Sequence, residues 1–297
     1  MKRIITAALA IAACGTPAGS TIPSTTSHAP LSIAADARMI TIPAGQFIAG
    51  STPEERAAAY DDYEATSSTD AAREHDWFGK EADRHLTTLE AYRIDLMPVT
   101  QVEYAEFVQA GLAPPPAITA AAWKDQGFVQ DYETQVARFV WRDGHPPAGR
   151  EDHPVVLVTH AEAAAYCAWR GKLVGSARRL PTAAEYEKAA RGESGMTYPW
   201  GNVFEAEKLN SHVAGPGDTT PVGTYSNGAS PYGVLDLAGN VFQWTATAVE
   251  GRAGEMIVKG SAWEDYAGLG RGASGHARPT RIRHVIVGFR CAGDAGP

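Results

Sequence analysis

The side chains best able to do chemistry gather late in this chain, at Trp263, Glu264, Asp265, Arg271, His276 and Arg278. The adjacent carboxyls of Glu264 and Asp265 could move a proton or, with His276, hold a hard metal ion. Neighbouring residues of an extended strand point to opposite faces, however, which weighs against one shared metal. The arginines suggest something else. Arg271, Arg278, Arg281 and Arg283 form a basic run in a chain of formal charge −8. Guanidinium forks bind carboxylates directionally, and Trp263 and Trp244 each join a broad apolar ring to one N–H donor. Together they predict a cleft that attracts an acidic or carboxylate-bearing peptide, a reading ranked above metal catalysis.

General catalytic signatures are missing. There is no H-E-x-x-H zinc helix, no G-x-S-x-G elbow, no Walker loop and no dinucleotide-binding glycine fingerprint. Gly215-Pro216-Gly217 lies among turn residues and reads as a loop. His75, His85, His276 and His284 are scattered, as surface or hydrogen-bonded histidines are, rather than spaced as metal ligands. The acidic balance argues against a nucleic-acid partner. Three cysteines are too few for a disulfide scaffold or a four-thiolate zinc site, though one bridge is possible.

The elements that must position these residues can be read in order. Lys2 and Arg3 precede an apolar stretch, Ile4 to Ala13, and small residues surround Cys14. Residues 1–14 read as a secretory signal, too short to span a bilayer. Ile11-Ala12-Ala13-Cys14 is similar to a bacterial lipobox, whose cysteine is acylated; ordinary cleavage nearby is the alternative. Gly15, in place of Asp, favours the outer membrane where a cell has one. Residues 15–38, rich in Ser, Thr, Pro and Ala, read as a tether, and residues 39–297 as one folded domain. Met39 to Ala49 and Leu86 to Val99 suggest strands, with a polar loop and helical turns over Ser51 to Arg84. Thr100-x-x-Glu103, Thr159-x-x-Glu162 and Thr182-x-x-Glu185 are capping boxes that open three helices. Gly111, Gly171 and Gly192 stand where those helices should stop. Val285 to Cys291 reads as a terminal strand.

The order of unusual segments says more than any one motif. His153-Pro154-Val155-Val156 leads to Ala165-Tyr166-Cys167-Ala168-Trp169, Arg179-Leu180-Pro181-Thr182 and Tyr198-Pro199-Trp200-Gly201-Asn202. Then come Tyr232-Gly233-Val234-Leu235-Asp236-Leu237-Ala238-Gly239-Asn240-Val241, Lys259-Gly260-Ser261-Ala262-Trp263 and Gly288-Phe289-Arg290-Cys291. This series resembles the formylglycine-generating enzyme (sulfatase-modifying factor) family, across essentially Ile42 to Ala292. The resemblance implies a loop-rich α/β (α+β) fold related to the C-type-lectin-like fold, often held together by calcium and disulfides. The best-known members oxidise a sulfatase cysteine to formylglycine, using oxygen and a copper ion held by two cysteines after a Gly-Ser-Trp segment. Others carry out different oxidations, in ergothioneine and pyoverdine formation, and some lack the cysteine pair and act through binding.

This sequence departs at that point. Trp263 is followed by Glu264-Asp265-Tyr266, and no cysteine stands between Gly260 and Arg290. Copper(I) is a soft ion that prefers thiolate, so the known copper mechanism is not expected. The resemblance places Cys167 and Cys291 where family members form a disulfide. It also implies a structural calcium at Asn240, weakened because Gln243 stands where the family usually has Glu. The expectation is an extracytoplasmic, lipid-anchored protein of the periplasm or cell envelope that binds a secreted or periplasmic protein or peptide, as a maturation or immunity-type factor. The alternative is a noncanonical oxidoreductase acting on a peptide or siderophore-like substrate. A calcium-dependent, lectin-like surface module is a third possibility.

Overall fold

The computed structural model describes residues 29–128 and 130–295. The signal segment, Cys14 and most of the expected tether lie outside them. The tether does not reach residue 38: a helix, α1 (Leu31–Ala37), already belongs to the folded unit. The amides of Leu31 and Ser32 donate to Glu106 at 2.6 and 3.0 Å. At the other end Asp36 accepts two bonds from Arg178, at 2.6 and 2.9 Å. Charge-assisted bonds to distant residues hold this helix, and composition alone does not register them.

The two regions read as strands each hold two strands. β1 (Ile40–Ile42) and β2 (Gly45–Ala49) precede residues 51–84; β3 (His85–Leu89) and β4 (Tyr92–Ile94) follow them. They pair across the regions, β1 with β4 and β2 with β3. Between the two regions, the expected loop instead carries two helices, α2 (Pro53–Ser67) and α3 (Ala71–Glu74). Helix α2 starts with Pro53 and a Thr52/Glu55 capping box, a signal overlooked among the charges. Ala59, Tyr63, Ala72 and Phe78 form a small core there with Leu269.

The three expected capping boxes are all present. They open α4 (Gln101–Gln109), α6 (His160–Val174) and α7 (Ala183–Arg191), with the short α5 (Ala120–Asp125) after α4. Gly192 ends α7, but α6 runs past Gly171 to a left-handed Gly175 at φ 65°. Gly171 is a packing glycine instead. A Cβ there would sit 2.8 Å from the Arg178 nitrogen and the Ser176 oxygen.

The second half of the chain is mostly turns around a four-stranded sheet. β5 (Phe242–Ala248) pairs with β6 (Glu255–Lys259), which pairs with β7 (His276–Pro279); β8 (Val287–Gly288) runs parallel to β5. The last strand, β9 (Ala292–Asp294), joins β4, so the chain's end closes against its beginning in the sheet β1-β4-β9. The expected terminal strand is therefore two short strands separated by Phe289-Arg290-Cys291. The break allows Arg290 to turn inward, where its guanidinium donates to the carbonyls of Leu235, Asp236 and Asp95 at 2.8, 2.7 and 3.0 Å.

The main core lies between α4, α6 and this sheet, with Tyr104, Phe107, Tyr166, Trp244 and Phe289 at its centre. Cys167 on α6 is disulfide-bonded to Cys291, with Cα atoms 5.6 Å apart. The bond spans a sequence separation of 124. Closing so long a loop is worth roughly 4–5 kcal/mol in the chain-entropy account. The result is a mixed, loop-rich α+β fold.

Candidate functional site

Trp263, Glu264 and Asp265 lie in a turn just after β6, not on a strand. The turn is pinned at both ends: Asp265 N donates to Ala262 O at 3.0 Å, and Ala262 N donates to the Asp265 carboxylate at 2.7 Å. Strand alternation therefore does not apply, and both carboxyls remain near Arg278 on β7. On the same strand, His276 stands edge-on to Phe242, with ring centroids 5.4 Å apart. Arg278 lies 5.9 Å above the same Phe242 ring.

One side of this cluster comes from residues not anticipated as part of a site. Trp77, from the segment after α3, meets His276 edge-on at 6.5 Å, and Tyr63 of α2 meets both Trp77 and Tyr266 at 5.3 and 5.6 Å. Trp77-Phe78 is an aromatic pair in a polar stretch, and that was the available signal.

These polar groups have few partners. Glu264 makes no hydrogen bond or ion pair among the described residues. Arg278 has no carboxylate within 4.0 Å among them, and donates only to its neighbour Ala277 O, at 3.0 Å. The His276 Nε2 and Trp263 Nε1 atoms are buried without a partner. The protonation states follow from this. Burial and then the adjacent Glu264 push the Asp265 carboxyl up to about 7, and burial raises Glu264 as well. Burial and the nearby Arg278 charge bring His276 down to about 3, so it is neutral at physiological pH. Asp265 can thus give or take a proton near neutrality.

The structure separates the remaining expected residues from this cluster. Arg271 is not part of it: its guanidinium forms a two-pronged pair with Glu81 at 3.0 and 3.1 Å, both side chains 3% exposed. That pair fastens the α2–α3 segment to the domain. Arg283 is committed to Leu157 O and Glu162, and Arg281 lines a different groove. The expected positive field thus reduces to Arg278 alone, beside two carboxyls. Trp263 is only 8% exposed, stacked on Phe139 at 6.4 Å with Arg138 above both rings. Trp244 is fully buried and donates to Val158 O at 3.1 Å. Neither tryptophan is an open groove wall.

Among the described residues no free thiolate is present for copper, and the side chains the resemblance assigns to calcium are already hydrogen-bonded. The only two cysteines in the described residues are joined to each other, so no thiolate stands near Trp263. Gln243 uses both ends of its amide: Arg290 Nε donates to its oxygen at 2.5 Å, and its nitrogen donates to Asp236 O at 2.8 Å. Asn240 is likewise tied to Thr220, accepting from its N at 3.1 Å and donating to its O at 3.2 Å. Among the described residues no group of three or more His, Cys, Asp or Glu could hold a metal.

With this geometry in hand, comparison with known families is decisive. The model of the sulfatase-modifying factor enzyme 1-like domain matches residues 27–295. The chain belongs to this family. Its relatives include the mouse protein named inactive C-alpha-formylglycine-generating enzyme 2, 32% identical over 303 residues, covering 89% of this chain and 88% of that protein. Another is the Mycobacterium tuberculosis formylglycine-generating enzyme, 32% identical over 214 residues, covering 58% of this chain and 68% of that one. The solved structure of PvdO from Pseudomonas aeruginosa superposes with a TM-score of 0.64 at 21% identity, covering 86% of this chain and 94% of that chain, which shows the shared fold. An enzyme and a protein named inactive stand at equal identity, so within this family identity does not decide activity. The site residues must.

Proposed function

We propose that this chain is a binding member of the family, acting on a protein or peptide that docks on the cluster of Glu264, Asp265, His276 and Arg278. One observation carries the reading. Opposite charges lie close enough to influence each other, yet among the described residues Glu264 has no partner and half-buried Arg278 has no carboxylate within 4.0 Å, while the His276 Nε2 atom is buried unpaired. A ligand with a donor for the carboxyls and an acceptor for Arg278 would satisfy all of them. The test places a photo-crosslinking residue at Tyr266 in the full chain, in its native cells. The expected result is one reproducible protein adduct that drops about tenfold in Glu264→Gln and Arg278→Met, as losing a charged hydrogen bond would dictate. No adduct, or one that both variants leave intact, refutes the proposal.

Asp265 favours a second reading, a noncanonical oxidoreductase or maturation enzyme on a peptide or siderophore-like substrate, because its carboxyl titrates near neutrality. Asp265→Asn separates the two: an enzyme loses turnover, whereas a binding protein keeps its adduct.

The place of action we propose is the periplasmic side of the cell envelope, through a lipid on Cys14. The lipobox-like Ile11-Ala12-Ala13-Cys14 supports it, as does the Cys167–Cys291 disulfide, which suits an oxidising compartment. Metabolic labelling with a fatty-acid analogue should mark the wild type and not Cys14→Ala. Equal labelling of both would remove the anchor.

A further inference from the structure

A groove of about 740 Å³ opens on another part of the surface, between α5, the turn at Tyr132 and the segment after β7. Ile118, Ala120, Ala122, Tyr132 and Val140 give it mostly apolar walls, with Arg281 and Arg283 at the rim. Its walls are fixed in place. Tyr132 donates its hydroxyl to Ile118 O at 2.7 Å. The Gln126 amide grips the Arg283 main chain from both ends, donating to its O at 3.3 Å and accepting from its N at 2.9 Å. The Arg283 guanidinium is consumed by Leu157 O at 2.7 Å and by Glu162.

Arg281 is different. It is exposed, and among the described residues no carboxylate lies within 4.0 Å of it, in a chain with eight more acidic than basic groups. An unused guanidinium beside a preformed apolar surface matches a ligand with apolar side chains and one carboxylate. Enclosed cavities of this size take small molecules whole. This one is open to solvent, so an exposed chain segment can lie in it.

We propose that this groove docks a peptide segment of a partner protein, apolar residues flanking one aspartate or glutamate, with Arg281 as the charged anchor. The site is separate from the Glu264–Arg278 cluster and does not depend on the function proposed there.

The test selects a displayed library of linear peptides against the full chain and synthesises the consensus peptide. The expected consensus pairs apolar residues with Asp or Glu. Its binding should weaken about tenfold or more in Arg281→Glu and in Ala122→Trp, which fills the groove, and should be unchanged in Glu264→Gln. Both altered groove residues are exposed, so the fold survives their replacement. A library that yields no consensus, or one without an acidic residue, overturns the proposal. So does a peptide indifferent to both groove variants. A peptide lost only in Glu264→Gln belongs to that cluster and likewise refutes the docking groove. Decanoate binding that Arg281→Glu abolishes, without any selected peptide, would reassign the groove to small amphiphiles.

Discussion

Arg170 on α6 is wholly buried and meets Asp95 at 2.7 Å and Asp36 at 3.6 Å, whereas Arg278 on β7, though enclosed by its neighbours, meets no carboxylate within 4.0 Å among the described residues. The same contrast extends around each. Beside α7, Glu187 joins Arg191 and Lys259 at 2.7 and 3.2 Å. Beside the turn at Trp263, Glu264 joins nothing, and Asp265 accepts a single backbone bond. In the first region the Arg and Lys charges draw the carboxyls of Asp36 and Glu187 below their ordinary range in spite of burial. In the second, burial prevails and raises Glu264 and Asp265. Paired, fully buried charges fix the framework, whereas the unpaired ones beside Trp263 are half-buried and stay open to water or a ligand.

The largest expected effect comes from breaking a pair in the framework. Asp95→Ala leaves Arg170 buried without its nearest partner and removes the acceptor for Cys291 N, bonded at 2.7 Å. Stranding such a charge costs about 3–5 kcal/mol. Glu264→Ala removes no pair and should cost less than about 1 kcal/mol. Denaturant midpoints of the two variants measure the difference directly. Equal losses would erase the distinction between the regions.

A smaller effect, of opposite sign, is expected at Asp265. Its carboxyl keeps a proton in the folded state up to about 7, but titrates near 4 when unfolded. The folded chain therefore binds more protons over that interval, and this group's contribution to stability declines as pH rises from about 4 to about 7. His276 acts the other way. Folded, it stays neutral down to about 3, while the unfolded side chain protonates below about 6.5, so stability is lost as pH falls through that range. Their slopes offset between about 4 and 6.5. Asp265→Asn keeps an oxygen for Ala262 N but removes the acidic titration. It should stabilise the chain by about 1–3 kcal/mol at pH 7.5 and expose the His276 slope below about 6.5. Stability curves against pH for both proteins check this, and a destabilised Asp265→Asn would mean that the carboxylate already has a partner.

The framework was more legible in the sequence than the site, for a physical reason. Capping boxes are local, so Thr100, Thr159 and Thr182 announced their helices within four residues each. Family resemblance carried the Cys167–Cys291 bond and the fold. Charge partners are not local. Arg271 looked free until Glu81, 190 residues earlier, came to meet it, and Arg178 found Asp36 across 142 residues of chain. The basic run after Trp263 therefore suggested a single positive surface, while folding pairs Arg271 with Glu81 and carries Arg281 and Arg283 to a different groove. Trp77 and Tyr63 escaped notice because their stretch reads as solvated and acidic. Only packing turns it into one side of the cluster.

The smallest expected effect concerns calcium, and it tests whether the framework already supplies its own cation. The Arg290 guanidinium lies among the carbonyls of Asp95, Leu235 and Asp236 and the side-chain oxygen of Gln243, an oxygen-rich setting of the kind a hard metal ion seeks. A calcium ion at Gln243 would have to displace this arginine or face its charge. A divalent ion and a guanidinium about 4 Å apart repel by roughly 8 kcal/mol even at an effective dielectric of about 20. Asn240, the other oxygen donor at issue, already holds Thr220 by both ends of its amide. Melting temperatures in excess calcium and in excess chelator should therefore agree within about 1 °C. A rise of about 3 °C with calcium, equivalent to roughly 1 kcal/mol in a domain of this size, would reveal an ion that stabilises the native state. In that event Arg290→Met would sharpen the result. If arginine and metal compete for the same oxygens, the variant should bind calcium more tightly; if they do not, the ion sits elsewhere and Asn240 and Gln243 are not its ligands.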